Sequence, residues 1–253
     1  DKIIKVDEDT GKTVAIEGAS FKIRDMATGE FVSQKVGIFE TVDTFTTDET
    51  GMVSTPLKLD AGSYQLEEIK APEGYVLNKE VVPFEITNTG AFIMDEDGDA
   101  IVTVEMGDEA VVGHIKINKS GEVLVGYEDG QFIYEERGLK GAEYDIIAAE
   151  DIMDPSNDGT VIYEKGTIVE HLVTDVRGDA ISQFHPLGKY QVVETKAPYG
   201  YTLNTEPKDV TLAYEGQEVA LVEESVSFVN ERQQVQLDTI KVDVDSKEAV
   251  AGA

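Results

Sequence analysis

Hydrophobic and polar residues alternate one by one along most of the chain. The alternation is clearest in "ASFKIRD" (19–25), "GSYQLEEI" (62–69), "VVPFEI" (81–86), "KYQVVET" (189–195), "DVTLAYEG" (209–216) and "SVSFVN" (225–230). A period of two is typical of strands with one buried face, and the Gly, Asp and Asn residues at their ends indicate turns. One segment, "IIAAEDIM" (146–153), is instead predicted to form a helical turn or two. The pattern therefore predicts an all-β chain of antiparallel β-sandwiches.

An internal repeat divides the chain. "YQLEEIKAPEGYVLN" (64–78) returns as "YQVVETKAPYGYTLN" (190–204), with ten of the fifteen residues identical, and "EGASFKI" (17–23) matches "KGAEYDI" (140–146). A third start is visible where "IKVDVDSKEAVAGA" (240–253) resembles "IKVDEDTGKTVAIEGA" (4–19). Repeats of this length indicate tandem units, each with its own core.

The repeat predicts three parts. Residues 1–112 form module 1, residues 113–236 form module 2, and residues 237–253 are the first strand of a further, truncated module. Module 2 carries nine extra residues between Lys119 and Gly141, which are 22 residues apart against 13 from Lys5 to Gly18. The segment from Gly121 to Ala149 is therefore the candidate insertion.

The charge of the chain limits its partners. Acidic residues outnumber basic ones by 51 to 21, which gives a formal net charge of −30. Such a surface repels nucleic acid and anionic membranes, so neither is predicted as a partner. The chain has no cysteine, which excludes disulfides and thiolate metal sites.

Signals for turnover catalysis or cofactor binding are weak. The three histidines are scattered, and no HExxH or GxSxG motif occurs. The acidic stretches "DPSNDGT" (154–160) and "DEDGD" (95–99) depart from a calcium loop and are interpreted as solvated turns. The RGD tripeptide at 177–179 falls in a Thr-Asp-x-x-Gly turn and is interpreted as part of that turn. We therefore predict no enzyme, no cofactor and no metal site.

Four charged residues stand on strand faces that are otherwise apolar. Lys5 and Lys119 share the parity of the isoleucines in their strands, and Glu68 and Glu194 share the parity of Leu or Val two residues earlier. All four side chains are therefore predicted to point into a core, where an unpaired charge is costly.

Equal spacing selects an acceptor for each lysine. Asp108 and Asn230 occupy corresponding places in the last strands, and each stands 11 residues before the next module's lysine, Lys119 or Lys241. The corresponding glutamate and acceptor for Lys241 would lie beyond residue 253, so within this chain it is predicted to remain a free amine.

These groups suit amide formation. Burial lowers the pKa of a lysine and raises that of a glutamate, so a neutral amine can lie beside a protonated acid. Lys119 would attack Asn230 and release ammonia, and Lys5 would attack Asp108 and release water, assisted by Glu194 and Glu68 respectively. The alternative is an ordinary salt bridge from each glutamate to a lysine.

At these residues the chain resembles the collagen-adhesin B-type repeats, also called SpaA-like or prealbumin-like domains, of Gram-positive surface adhesins and pilins. The resemblance rests on the box "YxLxExxAPxGY", which occurs twice, on "FHPLGKY" (184–190), and on "KVD" and "FVN" in the first and last strands. It implies a reverse immunoglobulin-like sandwich with a Lys-Asn or Lys-Asp isopeptide bond. Module 1 departs from the pattern, since its last strand reads "EMGDE" where "FVNER" is expected.

The resulting prediction is a structural stalk segment of a cell-wall-anchored, extracellular adhesin. Its partners would be neighbouring modules of the same protein, with a host matrix protein or glycoprotein as a further candidate ligand. Two alternatives remain open. A major pilin shaft subunit would need a sortase-acceptor lysine, for which Lys208 is a weak match. A ligand-binding adhesin module would use the extra residues of module 2 and the loop after them.

Overall fold

The computed structural model of the protein describes residues 2–87, 93–94 and 100–250, and these residues contain strands and turns but no helix. Module 1 contains β1 (Lys2–Asp7), β2 (Ser20–Asp25), β3 (Gln34–Lys35), β4 (Thr41–Val42), β5 (Phe45–Thr46), β6 (Met52–Ser54), β7 (Gly62–Lys70), β8 (Val82–Ile86), β9 (Ile93–Met94), β10 (Ala100–Ile101) and β11 (Thr103–Asp108). The acidic stretch 95–99 lies outside the described residues.

Module 2 repeats this plan with longer elements. Its strands are β12 (Val112–Glu128), β13 (Gln131–Gly138), β14 (Glu143–Ala148), β15 (Ile152–Met153), β16 (Val161–Tyr163), β17 (Ile168–Val173), β18 (Asp179–Ile181), β19 (His185–Pro186), β20 (Gly188–Lys196), β21 (Lys208–Leu212) and β22 (Leu221–Asn230).

Each module is a sandwich of two sheets. In module 1 the order β11-β1-β6 forms one sheet and β5-β2-β7-β8 the other. Ile3 and Met106 from the first sheet share a buried cluster with Phe21, Ile23 and Leu66 from the second. Because alternate side chains of a strand point to opposite faces, one face of each sheet supplies this core. The predicted all-β tandem fold is confirmed.

Module 2 has the same two layers. Its β12 pairs with β13, β18, β19 and β22, while β17-β14-β20-β21 forms the facing sheet. Ile115, Ile117 and Phe228 from the first layer pack with Tyr144 and Val192 from the second. The equivalent strands therefore build equivalent cores.

The first and last strands of each module are parallel neighbours. β1 runs beside β11 with Lys5 opposite Met106 and Asp7 opposite Asp108. β12 runs beside β22 with Lys119 opposite Phe228 and Gly121 opposite Asn230. In both modules the acceptor thus lies two residues beyond the residue that faces the lysine.

The predicted helical turn at 146–153 is wrong. These residues belong to the end of β14 and to β15, with Tyr144, Ile146 and Ala148 buried on one face. β14 is held between β17 and β20. The sheet thereby overrides the weak helical preference of the two alanines, because tertiary pairing outweighs local propensity.

The extra residues of module 2 form a hairpin, which we call the arm (residues 121–138). β12 continues past its module and returns as β13 through Asp129 and Gly130, both with positive φ (48° and 80°). This dipeptide suits a two-residue primed turn, because Gly and Asp tolerate left-handed backbone. A register shift between Leu124 and Gly126 marks a bulge in the arm.

The loop 154–160 is only in part the solvated turn that the sequence predicts. Residues 157–160 are exposed, but Ser156 is fully buried, and the Ala15 N–H donates to its carbonyl at 2.9 Å. Lys12 of module 1 places its Nζ 2.8 Å from Asp154 Oδ2 and 2.7 Å from Asp158 Oδ2. The loop is thus a junction between the modules, with an ammonium of module 1 between two of its carboxylates.

Candidate isopeptide sites

Three buried side chains meet in the core of module 1. Lys5 and Asp108 have fully buried side chains, and Lys5 Nζ lies 2.5 Å from Asp108 Oδ1. Glu68, from β7 of the facing sheet, places Oε1 3.6 Å from the same Nζ. Lys5 Nζ also donates to the Met106 carbonyl at 2.8 Å. The three residues come from the first strand, the last strand and the opposite layer.

The Lys5–Asp108 contact differs from a regular ion pair. Its 2.5 Å is shorter than the roughly 2.7–2.9 Å of charge-assisted N–H···O bonds. Neither Asp108 oxygen makes a hydrogen bond of regular geometry. The short distance nevertheless brings the amine nitrogen against the carboxyl group.

Burial changes the protonation of both acids in module 1. It raises the pKa of Glu68 to about 8, with the nearby Asp108 charge adding to the rise and Lys5 opposing it. Burial likewise raises the pKa of Asp108, again against the effect of Lys5. At neutral pH the Glu68 carboxyl therefore retains a proton that it can donate.

Module 2 builds the same arrangement with an amide. Glu194 accepts hydrogen bonds from Asn230 Nδ2 at 2.8 Å to Oε1 and 2.9 Å to Oε2. Lys119 Nζ lies 3.5 Å from the same Oε1. The side chains of Lys119 and Glu194 are completely buried. Lysine and asparagine thus converge on one glutamate oxygen.

The lysine of module 2 is held without a regular hydrogen bond. Lys119 Nζ and Asn230 Oδ1 are both buried, and neither has a hydrogen-bond partner among the described residues. Burial lowers the pKa of Lys119, and the Glu194 carboxylate only partly offsets this effect. The lowered pKa of Lys119 favours a neutral amine with a free lone pair next to an amide group.

Residues that sequence reasoning missed hold the glutamates in place. The backbone N–H of Asn78 donates to Glu68 Oε2, and that of Asn204 donates to Glu194 Oε2, both at 3.0 Å. These asparagines are the last residues of the two copies of the repeated box, and this shared position is the sequence signal that could have identified them. In module 2 the Tyr144 hydroxyl also donates to Glu194 Oε1 at 3.4 Å, whereas module 1 has Phe21 at this position of its sheet.

The other predicted residues lie apart from these sites. Lys241 is exposed. Arg177 is exposed, while Gly178 has a φ of 84° and Asp175 accepts from the N–H groups of Arg177 and Asp179, so the tripeptide lies in a tight turn. Each histidine meets a carboxylate of its own, in the pairs His114–Glu223, His171–Asp145 and His185–Glu170.

Across residues 2–87, 93–94 and 100–250, no cluster of three or more His, Asp or Glu residues is placed to hold a metal ion. Over the same ranges, no helix has the length and apolar character needed to cross a membrane.

Comparison with protein families identifies both modules. Residues 2–100 and 133–225 match the SpaA prealbumin-like fold domain. The matched ranges contain Lys5, Glu68 and Glu194, whereas Asp108, Lys119 and Asn230 fall outside them. No curated protein matches the chain.

Solved structures resemble the chain at low sequence identity. The Bacillus anthracis TIE protein is 24% identical with a TM-score of 0.55, over 91% of this chain and 33% of that one. The C-terminal fragment of the pilus adhesin SpaC from Lactobacillus rhamnosus GG is 16% identical (TM-score 0.44; 93% and 97% covered). BcpA, the major pilin subunit of Bacillus cereus, is also 16% identical (TM-score 0.35; 92% and 99%). The chain thus spans about a third of the length of the TIE protein.

Proposed function

The chain belongs to the family of SpaA prealbumin-like fold domains, and from this premise we propose that it is a structural stalk segment of an extracellular, cell-wall-anchored surface protein. Each module would close a single isopeptide bond between its first and last strands. The observation that carries this proposal is the buried lysine, glutamate and acceptor that recur in both modules, with Lys5 Nζ 2.5 Å from Asp108.

The reaction in module 2 is a transamidation. The lone pair of Lys119 Nζ attacks Cγ of Asn230, a C–N bond forms, and the bond from Cγ to Nδ2 breaks. Glu194 receives a proton from the attacking amine and delivers it to Nδ2, which leaves as ammonia. Glu194 already accepts from Nδ2 through both oxygens, so the proton has a short path.

The reaction in module 1 is a condensation. Lys5 Nζ attacks Cγ of Asp108, and one carboxyl oxygen leaves as water. Glu68 supports this step because its pKa of about 8 lets it donate a proton to the departing oxygen at neutral pH, and it then takes up the proton that the amine nitrogen loses. The raised pKa of Asp108 favours the neutral carboxylic acid, which a nucleophile attacks more readily than a carboxylate.

Burial explains why the bond is favourable. A buried ion pair must offset the desolvation of two charges, often incompletely. In module 1, conversion of Lys5 and Asp108 into one neutral amide removes from the core the two charges that this pair would otherwise carry. In module 2 the acceptor is already neutral, so the bond removes the charge that the lysine would carry. The neutral amide product needs neither a water molecule nor a metal ion to compensate a charge, which suits the buried apolar side chains of Met106 and Phe228 nearby.

The position of the bond suits a load-bearing segment. β1 and β11 are parallel, as are β12 and β22, so tension at the two ends of a module would shear these strand pairs. A covalent link between the two strands carries the force directly and leaves the hydrogen bonds of the sandwich unloaded. The same link closes a loop of about a hundred residues, which restricts the unfolded chain.

Among the two alternatives, the structure offers no special support for a shaft subunit joined through Lys208. Its Nζ donates to the Ser227 carbonyl at 2.5 Å and lies 4.9 Å from the centre of the Phe228 ring. A ligand-binding role for the loop 154–160 is also disfavoured, because that loop is occupied by Lys12 of module 1.

The test is the intact mass of the denatured chain, followed by a peptide map. We expect a deficit of about 35 Da from the sequence mass, being one water of about 18 and one ammonia of about 17. The map should show the Lys5 peptide joined to the Asp108 peptide and the Lys119 peptide joined to the Asn230 peptide. A mass equal to that of the sequence would refute the cross-linking proposal.

A further inference from the structure

The two copies of the repeated box are buried to different extents. In module 1, Ala71 and Tyr75 are buried and Leu77 is half-buried. In module 2, Ala197 and Tyr201, which correspond to Ala71 and Tyr75, are only half-buried, and Leu203, which corresponds to Leu77, is 49% exposed. Nearly the same sequence therefore forms a covered surface in one module and an open surface in the other.

Module 2 contacts the backbone of the module 1 box. The Leu77 N–H donates to the Gln217 carbonyl at 2.9 Å, and the Ala71 N–H donates to Gln217 Oε1 at 3.0 Å. The Tyr214 hydroxyl donates to the Tyr75 carbonyl at 3.3 Å. The side chains of the box pack with Val14 of module 1 itself, while the loop between β21 and β22 binds the backbone of the box.

The backbone around the open box matches that around the covered one. The N–H of Val111 donates to Gly74 and that of Gln233 donates to Gly200, both at 2.8 Å. In addition, Asp108 and Asn230 each precede the next lysine by the same number of residues. A further module attached after residue 230 would therefore begin at the same position relative to module 2 as module 2 does relative to module 1. Its first-strand lysine would also follow after the same number of residues.

The segment after module 2 already has the local structure of a module start. The N–H of Val250 donates to the Lys241 carbonyl at 2.8 Å, as that of Val14 donates to Lys5 at 2.9 Å. The bridge between Val242 and Ala249 likewise repeats the one between Val6 and Thr13. The segment reproduces the first turn of module 1 while its apolar side chains remain exposed.

The arm extends this open surface. Tyr127 and Phe132 form an aromatic pair at 5.1 Å near its tip, and they are 62% and 63% exposed. Seven residues of strand beyond Gly121 reach roughly 23 Å past the end of the module. At its base, Arg232 lies 3.6 Å from the Tyr134 ring centre and donates to Glu122 at 3.0 Å, which fixes the arm beside the box.

We propose that Leu203, Tyr127 and Phe132 form a docking surface for a third prealbumin-like module whose first strand begins in residues 240–250. We call these three residues the end face. The proposal rests on the stalk function, since it makes the stalk a stack of directly packed modules. The third module would bind the box of module 2 through the loop that corresponds to the one carrying Gln217, and the arm would lie along its side.

The test rebuilds the third module from the chain's own sequence. Ala253 corresponds to Ala142 of module 2, so residues 143–236, which include the loop carrying Gln217, are repeated after Ala253. Because the chain has no cysteine, Leu203→Cys and Phe132→Cys each introduce a unique thiol whose maleimide labelling can be timed. We expect labelling to be at least about tenfold slower in the extended chain than in the 253-residue chain, because docking protects the thiol. Thr28→Cys, on an exposed turn of module 1, should label equally in both.

Equal rates at both end-face thiols would overturn the proposal. Protection that rises with concentration in the 253-residue chain would also overturn it, by showing that a second copy covers the face. The intact mass of the same samples reports cross-linking separately, so protection without a mass deficit would sink the isopeptide proposal and leave the docking surface standing.

A second measurement needs no added module. Leu77→Ser should lower the melting temperature of the 253-residue chain, because Leu77 packs on Val14, Ala71 and Tyr75 beside the contact with Gln217 of module 2. Leu203→Ser, the matched change on the open box, should leave it unchanged. Equal losses from the two variants would show that Leu203 already serves the stability of module 2, which would contradict an open docking face.

Discussion

Replacement of Glu194 by Gln isolates the role of the carboxyl group in module 2. Glutamine keeps the size of the side chain and can still hydrogen-bond Asn230, but it cannot relay a proton between Lys119 and the departing nitrogen. Glu194 contacts both reacting groups, at 3.5 Å and 2.8 Å. We therefore expect the bond of module 2 to be absent, so that the mass deficit falls from about 35 Da to about 18 Da.

The stability effect follows from the loop that the bond closes. From Lys119 to Asn230 the loop has 111 residues (230 − 119), and the chain-entropy relation for a disulfide gives about 5 kcal/mol for such a loop. With a urea m-value of about 2 kcal/mol/M for a module of this size, the midpoint of module 2 should fall by roughly 2–3 M. Module 1 keeps its own bond, so its transition should not move.

Intact mass and urea unfolding, followed by a probe in each module, are the two assays. Glu67→Gln is the matched control, because Glu67 adjoins Glu68 in β7 but points outward to Arg24 at 2.6 Å. Glu68→Gln is the reciprocal variant and should retain only the ammonia loss of module 2. A Glu194→Gln chain with the full deficit would refute the proton relay, and loss of the bond without a shift in midpoint would refute the loop argument.

Three further changes test other parts of the account. Asp108→Asn should keep the bond of module 1 but release ammonia, so the total deficit becomes about 34 Da instead of 35, measured by intact mass. Lys5→Met cannot cross-link and leaves Glu68 with a pKa above its unfolded value of 4.5, so the folded state binds the extra proton. Stability of module 1 should therefore fall as pH rises from about 5 to above 8, seen as a falling urea midpoint, and a rising midpoint would contradict this. Gly178→Ala should destabilise module 2 by about 2 kcal/mol or more in urea unfolding, because a Cβ would stand 2.2 Å from the Lys119 carbonyl oxygen at a φ of 84°, whereas Arg177→Ala should stay within about 0.5 kcal/mol.

Strand parity made the interior positions of the candidate site predictable. Lys5 and Glu68 stand among alternating apolar residues, and the structure buries both. In the sequence, only the spacing to Lys119 distinguishes Asp108 from Glu105 and Glu109 as the acceptor of module 1. Of these three residues, only Asp108 is buried. Formation of the bonds themselves stays a prediction, because side-chain proximity is a condition for the reaction and not its product.

Other features depended on contacts that no single strand encodes. The Asn78 and Asn204 backbone groups reach the glutamates only because the box folds back after its Ala-Pro turn. Tyr144 meets Glu194 across two paired strands, and the alignment of the repeats gave no reason to distinguish it from Phe21. The helical turn predicted at 146–153 failed because pairing on both sides of β14 was invisible in its own sequence.

The junction loop shows most clearly why local pattern is an incomplete guide. Asp154 and Asp158 have the spacing of cation ligands, and in isolation they indicate a solvated acidic turn. Lys12 supplies the positive charge from the other module, and its ammonium lowers the pKa of Asp158 to about 2. An exposed ion pair of this kind adds little stability, but with the buried Ser156 beside it the contact fixes how one module meets the next. The acidic excess of the chain thus includes carboxylates whose partner lies about 140 residues away. Contacts of this kind between modules follow from the three-dimensional structure and not from any local sequence pattern.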